Sequence, residues 1–251
     1  MSPVKLKQTL QTNDLNDLEK RIENYWDKRS TDFSRVRRIE LAGENGRAWL
    51  SLIQRHLPST TEPLKILDVG TGAGFFAILL ADCGHHVTGI DMSLKMIHEA
   101  KKNMLEFGGR ADFIKMNAQD LRFDDETFDV VISRNLTWTL PDAMQAYREW
   151  HRVLKSGGIL MNFDSDYGDK NFTNEQTCTK ASVDDEMLIE CNDIKEHLRI
   201  STHTRPSWDI NLLKTLNFEV EFEEDIAPIV QKDKIDYDLV SLFAIYAKKQ
   251  H

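Results

Sequence analysis

The stretch Lys65-Ile-Leu-Asp-Val-Gly-Thr-Gly-Ala-Gly74 decides the fold. It reads as an apolar strand ending at Asp68, followed by Gly70, Gly72 and Gly74 at every second position, with a helix opening at Phe75. A strand that stops in such a loop and turns into a helix lays bare backbone across the carboxyl ends of a parallel sheet. Glycine suits this loop because any side chain would hold an adenosine-type ligand away from the chain.

Outward from this loop, apolar strands alternate with amphipathic helices, the pattern of a mainly parallel α/β sheet. Strands are expected at 64–69, 86–90, 112–116, 128–133, 158–164, 218–224 and 241–248, and helices at 75–83, 93–107 and 141–153. Residues 14–58 look helical. Leu15, Leu18, Ile22, Tyr25 and Trp26 mark one helix, and Trp49, Leu50, Leu52 and Ile53 a second, with the polar and aromatic segment Trp26–Phe33 between them. The span from about 165 to 207 is polar and breaks the rhythm, which reads as an insertion above the sheet's carboxyl edge. The expected divisions are 1–58, an N-terminal helical segment; 59–164, the ligand-binding half of the sheet domain; 165–207, an inserted cap; and 208–251, the rest of the sheet.

The bulk numbers set limits. With 251 residues, 41% hydrophobic and 29% charged, the chain suits one large α/β domain. No apolar run approaches the ~20 residues of a membrane span, and the first twenty residues hold no signal-peptide core. A net charge of −9 argues against non-specific nucleic-acid binding, and the basic cluster Arg35, Arg37 and Arg38 reads as a solvated helix face. Cys83, Cys178 and Cys191 form neither a metal spacing nor an even disulfide framework, so a reducing cytoplasm is expected.

Further signals lie downstream in register. The second strand ends at Asp91, where a carboxylate can accept hydrogen bonds from both hydroxyls of a ribose. Asp91 can also cap the following helix. Met92 and Met96 offer polarizable thioethers to a purine face. The third strand ends in Asn117-Ala118-Gln119, a small residue flanked by amides, where either amide could hydrogen-bond an exocyclic amine. The fourth strand runs into Arg134-Asn135-Leu-Thr-Trp138.

In these segments the chain resembles a class I S-adenosylmethionine-dependent methyltransferase of the small-molecule type, similar to enzymes of quinone biosynthesis. Leu67 to Gly74, Gly89 to Ser93, Asn117 to Leu121, Phe128 to Val131 and Arg152 to Gly158 carry the resemblance, which covers residues 64–164. It implies a Rossmann-like seven-stranded sheet with helices on both faces, one reversed strand near the end and an N-terminal lid. By the same resemblance Asp68 and the backbone from Gly70 through Thr71 to Gly74 hold the methionine portion, Asp91 holds the ribose, and Phe75 is counted among the cofactor-binding residues. Met92, Ala118 and Gln119 flank the adenine, and Arg134 and Asn135 lie beside the sulfonium. Tyr25, Trp26, Arg29 and Ser30 fit the lid: a guanidinium can engage a carboxylate bidentately, and an aromatic ring can face a sulfonium. Asn117 stands where the family often has aspartate. The chain also lacks both prolines of the Asn-Pro-Pro-aromatic motif found in amino-methylating nucleic-acid enzymes.

For the acceptor the sequence offers Trp138, Asp164, Tyr167, Arg205 and Trp208, with His203 and Asp166 as candidate bases. Asp164 and Asp166, at a strand end, could bind a cationic acceptor or a metal, or simply cap turns. Two other readings stay open. A silent protein that binds the cofactor is compatible with every motif. A nicotinamide-dependent oxidoreductase fits less well, because its fingerprint has two residues between the second and third glycine and this chain has one.

Overall fold

The computed structural model describes residues 12–168, 170–173, 184–233 and 241–251. In chain order it runs α1 (Thr12–Ala42), α2 (Glu44–Gln54), β1 (Lys65–Val69), α3 (Phe75–Asp82), β2 (His86–Asp91), α4 (Leu94–Phe107), β3 (Ala111–Lys115) and β4 (Phe128–Arg134). There follow a 3-10 turn (Thr137–Thr139), α5 (Ala143–Val153), β5 (Leu154–Ser165), α6 (Asp185–His197), a second 3-10 turn (Arg199–Thr202), α7 (Ser207–Thr215), β6 (Phe218–Glu223), α8 (Ala227–Val230) and β7 (Leu242–Lys249).

The seven strands form one sheet in the order β3-β2-β1-β4-β5-β7-β6. β1, β2, β3, β4 and β5 pair in parallel, and β7 runs antiparallel to both β5 and β6. This is the expected mostly parallel sheet with its reversed strand. β1 has β2 on one side and β4 on the other, so the chain order reverses at β1 and opens a crevice beyond its carboxyl end.

Strand alternation sends neighbouring residues to opposite faces. Leu67 and Val69 join a core with Tyr147, Trp150 and Leu213. Ile66, Val130, Ile132 and Phe163 join a second core with Trp49, Phe76 and Leu80. Both cores hold fully buried aromatic rings, which is why α2 and α3 cover one face while α5 and α7 cover the other.

Three expectations change. The segment Trp26–Phe33 does not separate two helices: α1 is a single helix of 31 residues, about 46 Å long at 1.5 Å per residue. It contains no glycine or proline, and its polar residues find distant partners. β5 starts at Leu154 and not at 158, with a register shift against β4 between Phe128 and Val130 taking up the extra length. Trp208, read as a residue after the insertion, sits on α7, which the sequence reading did not anticipate. Cys178 lies outside the described residues.

Trp150 is fully buried, and its indole Nε1 donates to the carbonyl of Ala118 at 3.0 Å. Trp150→Ala is expected to destabilise the fold by about 3–5 kcal/mol, read as a lowered urea midpoint at unchanged slope.

Candidate functional site

A cavity of about 220 Å³ lies at the carboxyl edge of β1, β2 and β4, with α1 crossing over it. Gly70 and Gly72 adopt φ of +68° and +52°, backbone that a side chain resists. A Cβ on Gly70 would stand 2.8 Å from the Leu136 side chain, and one on Gly72 would stand 3.0 Å from the Phe33 ring. Gly74 is also left-handed but lies off the cavity. It opens α3 and packs against Ala100 and Phe113.

Two carboxylates organise the loop. Asp68 Oδ2 accepts from Thr71 Oγ1 at 2.6 Å and from the Ala77 N–H at 3.1 Å, tying the loop to α3. Asp91 takes the Gly72 N–H on Oδ2 at 3.0 Å and the Ser93 N–H on Oδ1 at 2.8 Å. Burial pushes the Asp68 carboxyl up to about 7 and that of Asp91 up to about 6.

α1 brings its own polar groups to this edge. Glu19 Oε1 accepts from the side-chain amides of Asn117 at 3.0 Å and Gln119 at 2.6 Å. Asp27 accepts from the Ser93 hydroxyl, which in turn caps α4 by accepting from the Met96 N–H. Trp26 meets Phe33 edge-on at 5.7 Å. Arg29 Nη1 donates to the Tyr25 hydroxyl, while its Nε is buried without a partner. Near the end of α1 the fully buried Glu40 carboxylate pairs with Arg37 at 2.9 Å and Arg134 at 3.1 Å. The Arg134 guanidinium also lies 4.7 Å from the Trp49 ring and 4.8 Å from that of Phe75.

The expected nucleotide residues largely converge. Asp68, Gly70, Thr71, Gly72, Phe75, Asp91, Met92, Met96, Asn117, Ala118, Gln119, Arg134 and Asn135 all line the cavity, as do Tyr25, Trp26 and Arg29. Ser30 does not; it is buried with its hydroxyl on the Asp27 carbonyl. Arg134 reaches the cavity wall already paired with Glu40. Asn135 holds a left-handed φ of 53°, which asparagine tolerates, and its Oδ1 is buried without a partner.

The acceptor side divides. Trp138 and Tyr167 line the cavity and meet Phe172 in a three-ring cluster with centroids 4.7–5.5 Å apart. Leu188 and Cys191 of α6 close the same wall. Asp164, Asp166, His203, Arg205 and Trp208 are not brought to the cavity. Asp164 and Arg205 are buried against each other at 3.1 Å, and the guanidinium also takes Asp209 at 2.8 Å. Asp164 accepts the Trp138 N–H as well, so this ion pair buttresses the ring wall from behind. Asp166 Oδ2 accepts the Arg205 N–H. His203 stacks on Trp208 at 4.7 Å, and burial lowers its pKa. Asp164 and Arg205 are buried because each compensates the other's charge away from water, whereas Asp166, His203 and Trp208 are half-buried beside them.

Sequence reasoning missed Glu19, Phe33, Glu40, Phe172, Leu188 and Lys195. Lys195 is buried and donates to the carbonyls of Tyr167, Gly168 and Lys170, fixing the loop that carries Tyr167. Among the described residues there is no cluster able to hold a metal ion, and no helix is long and apolar enough to cross a membrane.

Comparison with known proteins agrees with this geometry. A methyltransferase domain family matches residues 67–162. A ubiquinone biosynthesis O-methyltransferase of Pseudomonas syringae pv. tomato is 37% identical over 95 residues, covering 38% of this chain and 41% of the relative. A demethylmenaquinone methyltransferase of Chlorobaculum tepidum is 38% identical over 106 residues, 42% of each chain. The matched stretch thus spans about two fifths of the length of these curated relatives. Among solved structures, Haemonchus contortus phosphoethanolamine N-methyltransferase 2 in complex with S-adenosyl-L-methionine aligns with a TM-score of 0.64 at 18% identity, over 91% of this chain and 60% of that one. That likeness speaks for the fold. Residues 67–162 thus match a methyltransferase domain family, and the chain is similar to curated methyltransferases of ubiquinone and menaquinone biosynthesis.

The raised Asp68 carboxyl gives a pH prediction. Its folded pKa of about 7 lies above the unfolded value of 3.8. Its contribution to stability is therefore full below about pH 4 and is lost as pH rises through 7. Asp68→Asn keeps an acceptor for Thr71 and Ala77 but no charge. The variant should match the wild type near pH 4 and exceed it by on the order of 2–4 kcal/mol at pH 8, read as urea midpoints at the two pH values.

Proposed function

We propose that the protein transfers a methyl group from S-adenosylmethionine to a small-molecule acceptor by direct displacement. The observation that carries this reading is the Asp91 carboxylate, gathered by the backbone of Gly72 and Ser93 beside the left-handed glycine loop at the point where the sheet's order reverses. The cavity fits the group by its unmatched atoms. A buried acceptor, Asn135 Oδ1, and a buried donor, Arg29 Nε, both on the cavity wall, complement the ammonium and carboxylate of an amino acid end. Asp91 would hold the ribose, Met92, Met96 and Ala118 would flank the base, and Arg29 and Asn135 would hold the methionine end. Bound there, the cofactor supplies an activated sulfonium methyl.

The chain's own work is alignment and exclusion of water. In this reading α1 is the lid, and α6 with the loop from Tyr167 to Phe172 is the acceptor cap. Trp138, Tyr167, Phe172 and Leu188 favour a flat, weakly polar acceptor such as the aromatic ring of a quinol. Among the described cavity residues the only carboxylates are Glu19, Asp68 and Asp91, and there is no histidine. The Tyr25 phenol is pushed up by burial and stays protonated. Among the described residues, that wall suits catalysis by positioning. Free Cys83 and Cys191 suit a reducing cytoplasm, and the −9 charge suits a protein without a nucleic-acid partner.

Thermal unfolding with S-adenosylhomocysteine tests the reading. A ligand at 100 times its dissociation constant that binds only the folded state adds about 2.7 kcal/mol, while nicotinamide dinucleotides should give no shift. Asp91→Ala should weaken binding of the same ligand by about 1–3 kcal/mol in calorimetry; unchanged affinity would remove the ribose assignment. Turnover with no acceptor in a broad small-molecule screen, despite tight cofactor binding, would favour a silent binding protein.

A further inference from the structure

The adenine end of the cavity has a polarity that the strand ends alone do not explain. Asn117 Oδ1 accepts the Gln119 N–H at 3.0 Å, and Gln119 Oε1 accepts the Asp142 N–H at 2.6 Å. A backbone N–H only donates, so both amide oxygens are committed to backbone, and both NH2 groups are turned to Glu19 Oε1. The exocyclic amine of adenine is itself a donor. Two NH2 groups cannot receive it, whereas a carboxylate accepts at both oxygens.

We propose that Glu19, carried on α1, accepts the hydrogen bond of the adenine amine, so that the base is read from the lid and not only from the end of β3. The inference rests on the cofactor reading above. Glu19 lines the cavity beside Met92, Met116 and Ala118, the apolar residues that would flank a base. Its Oε1 takes both amides and its Oε2 takes neither. One turn further along α1, Glu23 pairs with Lys115 at the end of β3 at 2.5 Å, and Asp27 holds Ser93 after the next. The helix is therefore pinned on the same side by groups other than Glu19. Removing its carboxylate leaves α1 in place and isolates the contact to the base. Recognition of the base and placement of the lid become one event.

The test is calorimetric binding of S-adenosylhomocysteine and of S-inosylhomocysteine, which carries an oxo group in place of the amine. The wild type should prefer the adenosyl ligand at least about tenfold, the scale of a lost hydrogen bond to a charged group. Glu19→Gln should lose or reverse that preference while its unliganded melting temperature stays near that of the wild type. Asn117 Nδ2 lies 3.0 Å from Glu19 Oε1, so Asn117→Asp added to Glu19→Gln sets a carboxylate beside the position of the lost one and should restore the preference. Equal weakening of both ligands in Glu19→Gln would overturn the proposal. So would a wild type with no preference between them, a comparison that needs no variant to fold. Failure of the wild type to bind either ligand would instead overturn the cofactor reading itself, a result distinguishable from both.

Discussion

The buried carboxylate of Glu40 determines where α1 lies. It is fully buried and shared between Arg37, one turn back on the same helix, and Arg134, at the end of β4. A carboxylate without those guanidiniums would be expelled from such a place, because an uncompensated buried charge costs about 3–5 kcal/mol. With them, the carboxyl-terminal part of a long helix is fixed against the central sheet. Arg134 in turn is packed between the rings of Trp49 and Phe75, so one ion pair joins α1, α2, α3 and β4. The cavity exists because α1, anchored there, must cross the carboxyl edge before its other polar groups find partners.

Those partners are spread along the helix. Asn103 donates to Ser34, Asp27 holds Ser93, Glu23 holds Lys115, and Arg21 reaches Glu190 and Asp193 on α6. The pairs at Glu23 and Arg21 are partly exposed and individually weak. Glu40, Ser34 and the short contact at Ser93 are shielded and set the register. The arrangement is firm at the carboxyl-terminal end of the helix and softer toward Glu19.

The glycine loop, Asp91 and the alternation of strands were legible in the sequence because each is a local pattern with a local cause. Seven strands were placed to within a few residues on that basis, and the sheet's reversed strand followed from the family likeness. The residues expected at a nucleotide were legible for the same reason, and most of them line the cavity. Glu19 and Glu40 were not: an acidic residue on an amphipathic helix looks solvated until the helix is known to lie on something. Asp164 and Arg205 failed in the opposite way. A carboxylate at a strand's carboxyl end marks the ligand edge, but it marks a buried ion pair equally well, and the partner 41 residues away carries no spacing signal. Trp138 and Tyr167 reach the cavity as expected, whereas Trp208, chosen on the same ground, stacks on His203 instead.

The rings of Trp138, Tyr167 and Phe172 stand on backbone that is gripped from behind. Asp164 holds the Trp138 N–H, Lys195 gathers the carbonyls of Tyr167, Gly168 and Lys170, and Asn192 both donates to and accepts from the backbone of Phe172. None of these grips involves the rings themselves. Much of the backbone's course is thereby set apart from ring identity, although the Trp138 indole N–H also donates to the Asn135 carbonyl at 3.1 Å. Such a wall can change its shape through a few side chains, without rebuilding the loops or disturbing the glycine-loop half of the cavity.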